Sequence, residues 1–143
     1  MKCIELYIGW AYGIVAKRTV GVENKCIDMK FVASKSKVKE KHGINISIYG
    51  IPKGINADVV HIAVKKGHHE EFYHTKSTFI YYIIKGKGRF YLNDKETKVK
   101  QADLLVVQPK TRIYYKGKME ILLTTIPAWK AKYEHHVRYL KFK

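Results

Sequence analysis

The sequence predicts an all-β fold built as one small barrel. Short apolar stretches recur from Ile44 onward and alternate with polar residues or are rich in β-branched and aromatic ones, turn residues separate them at short intervals, and only Trp129 to Leu140 has helix-like spacing. At 143 residues the chain can bury one real core but not comfortably two. Tyr is its dominant aromatic, which suits half-buried strands.

Residues 1–28 show no sustained alternation, so they are expected to form an N-terminal extension, a strand or hairpin packed on a single domain at 29–143. Lys35, Lys37, Lys39 and Lys41 then alternate, which places a lysine row on one face of an extended segment. Such a row keeps an exposed edge from pairing with other strands, or it tracks a phosphate backbone. Ile44 to Tyr49 alternates until Gly50 and Pro52 break it, and the β-branched run Ala57 to Val64 ends at Lys66-Gly67. His68 to Glu71 contains no apolar residue and reads as a polar loop at the barrel mouth. Phe79 to Ile84 stops at Gly86 and Gly88, and Arg89 to Leu92 is followed by the turn pair Asn93-Asp94. Glu96 to Lys100, Leu104 to Val107, Arg112 to Tyr115 and Glu120 to Thr125 complete the strands. In the tail, Trp129, Tyr133, His136 and Leu140 predict a short helix, with His135 and His136 exposed and without a role.

The formal charge of +16 points toward polyanions, yet nearly all of it is Lys, spread along the chain, and only Arg18, Arg89, Arg112 and Arg138 offer the bidentate fork that phosphate clamps favour. Nucleic-acid association through Lys30 to Lys41 is therefore kept as an alternative. Cys3 and Cys26 are too few for a disulfide scaffold, which predicts a reducing, cytoplasmic setting. Glu5 interrupts the apolar opening that a signal peptide would need, and no run is long enough to span a bilayer, so no membrane association is expected.

One constellation goes further. After Gly67 come His74, the strand and glycine hairpin Tyr82-Ile83-Ile84-Lys85-Gly86-Lys87-Gly88, then Asp103-Leu104-Leu105-Val106-Val107 running into Pro109, and a closing Glu120-Ile121-Leu122 to Pro127-Ala128-Trp129. This stretch, Val64 to Trp129, resembles the cupin family. The resemblance implies a jelly-roll β-barrel, commonly a homodimer, with a pocket between its sheets.

Most metal-bearing cupins hold their ion with a His-x-His pair, a Glu and a later His. Counted from Gly86 and Pro109, the resemblance puts those positions at Phe72, His74, Phe79 and Ile113. Three of the four are apolar and offer no lone pair, so no metal or other cofactor is expected. A weaker alternative is a displaced metal set of His68, Glu70 and His74, which share one face of an extended strand.

The same register makes Phe72, His74, Phe79, Tyr81, Ile113 and Tyr115 the lining of a ligand pocket, with His74 as the candidate catalytic group. Three readings stay open: a small-molecule-binding or structural barrel without the usual metal site, a metal-independent isomerase or epimerase acting on a sugar or related carbonyl compound, and a basic nucleic-acid-associated protein.

Overall fold

The computed structural model describes residues 37–52 and 54–142, so the predicted extension at 1–28 and most of the lysine-rich stretch lie outside the described residues. Among the described residues nine strands follow one another: β1 (Lys37–Lys41), β2 (Ile44–Ile48), β3 (Asp58–Val64), β4 (Glu70–His74), β5 (Thr78–Leu92), β6 (Lys95–Lys100), β7 (Leu104–Val107), β8 (Ile113–Ile126) and β9 (Glu134–Tyr139). All described pairings are antiparallel and form one curled sheet in the order β1-β2-β3-β8-β4-β9, with β5 joining β6, β7 and β8 off that path.

β5 and β8 are the spine, registered from Thr78↔Ile126 to Leu92↔Ile113. Each was expected as two shorter strands. Gly86 and Gly88 do not end β5, because a register shift between Ile83 and Lys85 absorbs one residue and Gly86 takes φ +84°, a left-handed value that glycine adopts without a Cβ clash. The shift also exchanges the two faces. Phe79, Tyr81 and Ile83 point inward before it and Phe90 after it, so odd and even positions both reach the core. On β8 the inward set is Ile113, Tyr115, Met119, Ile121, Leu123 and Thr125. Ile62, Val64, Val99 and Val107 close the core from the neighbouring strands.

Two expectations fail. The tail is not an α-helix: a single 3-10 turn at Ala131–Tyr133 leads into β9, which pairs with β4. β4 offers an unpaired edge there. Extending the tail satisfies that edge and also stacks His135 on Tyr73 at 4.9 Å, contacts worth more than the weak helical spacing. Nor is His68 to Glu71 a polar loop at the mouth. Glu70 opens β4, and His68, Glu70 and Glu71 are all buried. The two successive carboxylates point to opposite faces of β4 and each is covered, Glu70 by His42 and His136 and Glu71 by Arg112 and Arg138.

Candidate functional site

The six predicted pocket residues are all buried, and they form a connected series. Phe72 is in register with Ile113. Ring centroids run from His74 to Phe79 at 5.6 Å, Phe79 to Phe72 at 6.1 Å, Phe79 to Tyr81 at 6.1 Å and Tyr81 to Tyr115 at 6.1 Å. His74, the candidate acid or base, has both ring nitrogens engaged by backbone. Nδ1 accepts from Ser77 N at 2.9 Å and Lys76 N at 3.3 Å, and Nε2 faces the Lys130 carbonyl at 3.3 Å. That arrangement fastens the β4–β5 turn to the tail and leaves no nitrogen for a ligand.

The imidazole beside the tyrosines is His68. Its backbone N–H donates to the Tyr115 carbonyl at 2.9 Å, which sets its ring nearly parallel to Tyr115, 5.5 Å away at 19°. Phe72 and His42 meet it edge-on at 5.3 and 5.7 Å. His68 is 4% exposed, and its Nδ1 has no hydrogen-bond partner. Burial first, then the nearby His42 and Lys41, push its pKa down to about 3, so the ring is neutral near pH 7. Burial pushes both Tyr81 and Tyr115 well above the usual phenol range, Tyr81 with added repulsion from Tyr115 and Glu134, so both keep their protons. The result is a neutral imidazole stacked on Tyr115, with Tyr81 against that ring and both phenols protonated.

A polar rim adjoins this group. Glu70 bridges two histidines, with Oε1 2.9 Å from His136 Nδ1 and Oε2 2.9 Å from His42 Nε2, although only the first contact has hydrogen-bond alignment. His136 therefore has a role that its exposed sequence position did not reveal. Glu71, 1% exposed, lies between Arg138 Nε at 2.6 Å and Arg112 Nη1 at 3.4 Å; both approaches are close but poorly aligned for hydrogen bonding, so the attraction is chiefly Coulombic. Asp94 engages the outer sides of the same two guanidinium groups.

Phe72, Phe79 and Ile113 carry no lone pair, and the nitrogens of His74 hold backbone groups. The displaced set His68, Glu70 and His74 does not converge either: among the described residues no three His, Cys, Asp or Glu side chains are grouped to hold an ion.

Strand order, curled sheet and interior define a cupin barrel, and comparison with known proteins agrees. The family of AraC-like ligand binding domains matches residues 56–117. Pac13, described as a nucleoside dehydratase, is 39% identical with a TM-score of 0.76 over 79% of this chain and 93% of its own. The chain belongs to the cupin superfamily. Variants of Pac13 from Streptomyces, one with a His→Gln and two with a Tyr→Phe replacement, have each been solved with uridine; the first is 38% identical over 78% of this chain and 92% of its own, with a TM-score of 0.76. An RmlC-like cupin from Shewanella frigidimarina shares the fold at 14% identity, covering 71% of this chain and 91% of its own, with a TM-score of 0.58. No curated protein matches. No helix among the described residues is long and apolar enough to cross a membrane.

Proposed function

We propose that the chain binds a nucleoside at His68, Tyr81 and Tyr115 and catalyses its dehydration. One coincidence carries this reading. The residues replaced in the uridine-bound Pac13 variants are a histidine, a tyrosine thirteen positions later and a second tyrosine thirty-four beyond that. His68, Tyr81 and Tyr115 repeat both spacings, and no other histidine of this chain satisfies them. In the folded chain the Tyr115 ring neighbours both of the others, His68 at 5.5 Å and Tyr81 at 6.1 Å.

The chemistry is consistent with the environment. Loss of water breaks one C–H and one C–O bond, forms C=C, and needs a group that takes a proton from carbon and returns one to the departing oxygen. A neutral imidazole with a free nitrogen can do both, leaving no net change in its protonation. Phenols that stay protonated can hydrogen-bond the sugar hydroxyls or the base. His42, its own side chain 26% exposed, meets His68 edge-on at 5.7 Å.

Calorimetric titration with uridine tests the binding half. The expected outcome is saturable binding by the wild type that Tyr115→Phe and Tyr81→Phe each weaken by roughly tenfold, the scale of one lost hydrogen bond. Unchanged affinity in both variants would refute the assignment. An isomerase or epimerase is the competing enzyme class. Mass spectrometry separates the two, because dehydration removes one water from the substrate and isomerisation conserves its mass.

A further inference from the structure

Opposite the aromatic interior, the outer face of β6, β5 and β8 carries an array of like charges. Strand register sets Lys100, Lys87 and Lys118 side by side in one rung, and Lys98, Arg89 and Lys116 in the next. Residues two apart on a strand share a face, so the six cations form a grid of two rows and three columns, and all six are exposed. Directly opposed like charges destabilise a sheet, and this grid contains four such neighbours. Little offsets them. Glu96 lies 3.5 Å from Arg89 Nε, while the Asp103 carboxylate is occupied by the backbone N–H of Lys100 at 2.8 Å.

The face is also concave. Five of the six cations border a depression of about 650 Å³, floored by Gly88 and Gly117, where the absence of side chains lets β5 and β8 approach. Lys116 is shared with a second depression of about 400 Å³ that continues the basic path to Lys65, Lys66 and Lys141. The next rung along the sheet sets Tyr91 and Tyr114 beside Glu96, whose Oε2 accepts from the Tyr91 hydroxyl at 3.1 Å. Tyr91 and Tyr114 stack at 4.5 Å with 6° between planes, and Lys116 Nζ lies 5.6 Å from the Tyr91 centroid.

We infer that this face binds the backbone of single-stranded nucleic acid. Cations in rows roughly 7 Å apart along each strand can follow successive phosphates, and the tyrosine pair offers π faces to unstacked bases. A continuous concave path suits a flexible polymer better than a flat bilayer. The surface is distinct from the Lys30 to Lys41 segment that the sequence suggested, and it does not depend on the nucleoside reading.

The test is fluorescence anisotropy with a labelled single-stranded DNA of about 20 nucleotides, enough to cover one barrel. The triple variant K87Q/R89Q/K98Q is compared with K76Q/K110Q/K132Q, which removes the same charge from exposed positions outside the grid. The grid variant should bind at least about tenfold more weakly at moderate salt, and its slope of log affinity against log salt should fall by about 2, at roughly 0.7 per lost phosphate contact. The control triple should change neither by more than about twofold in affinity. Because it relieves repulsion, the grid variant should melt no lower than the wild type, which separates lost binding from lost folding. Equal losses in both triples, an unchanged slope, or tighter binding to duplex DNA or phosphatidylserine vesicles than to the single strand would overturn the inference.

Discussion

Replacing His68 by Gln should make the protein less sensitive to acid. In the folded chain the ring stays neutral down to about pH 3, whereas unfolded it takes up a proton at its ordinary value of 6.5. Between those limits the unfolded state binds more protons than the native one, so this group's contribution is complete above pH 6.5 and is lost as the pH falls toward 3. Well inside that window each unit of pH removes about 1.4 kcal/mol, and because the unfolded ring is already half protonated at pH 6.5, a change from pH 6.5 to 4.5 should cost the wild type about 2 kcal/mol through this residue alone. Gln does not titrate and keeps an amide where the imidazole stood. Urea unfolding of both proteins at several pH values reads the effect, since other acidic groups titrate equally in each and cancel in the difference. The stability gap between wild type and variant should narrow or reverse by about that amount at pH 4.5. Parallel profiles would mean that His68 protonates freely when folded, and the account of a buried neutral base would fail.

Other perturbations have separate readouts. Arg138→Ala leaves the buried Glu71 carboxylate with Arg112 at 3.4 Å as its nearest cation and should cost about 2 kcal/mol in chemical denaturation, less than a fully orphaned charge. Gly86→Ala adds a Cβ against the Lys118 carbonyl at a positive φ and should destabilise by about 3 kcal/mol or prevent soluble expression. His74→Ala should cost about 2 kcal/mol by freeing the β4–β5 turn while leaving uridine affinity within about twofold, a split that calorimetry and melting together detect.

The strands were legible where alternation met clear turns, as at Ile44, Val64 and Asn93-Asp94, and the resemblance at Tyr82 to Gly88 pointed to the right superfamily. Tyr81 and Tyr115 were placed indoors by the register that the resemblance supplied, and both are buried. His68 was misread because local composition, a glycine followed by four polar residues, argues for a loop. What buries it is non-local: a hydrogen bond to β8, the ring of Tyr115, and a β9 strand that covers the β4 edge. The tail was misread for a related reason, since helical spacing is a local signal and the open edge of β4 is a tertiary one. His74 looked catalytic because it matched a family ligand position, and only the fold reveals that turn backbone occupies its Nδ1 and the Lys130 carbonyl of the tail faces its Nε2. The cation grid was invisible too, because Lys87, Lys100 and Lys118 become neighbours only through strand register.

The central claim is that the interior tyrosines and His68 receive the nucleoside. Proton NMR of the tyrosine-ring resonances during uridine titration tests it directly, with Tyr81→Phe and Tyr115→Phe used to assign the two signals. Saturable shifts of the Tyr81 and Tyr115 rings, with Tyr91 and Tyr114 on the outer face unmoved, are the predicted result. Shifts confined to the outer pair, or interior rings that stay fixed at saturating uridine, would contradict it.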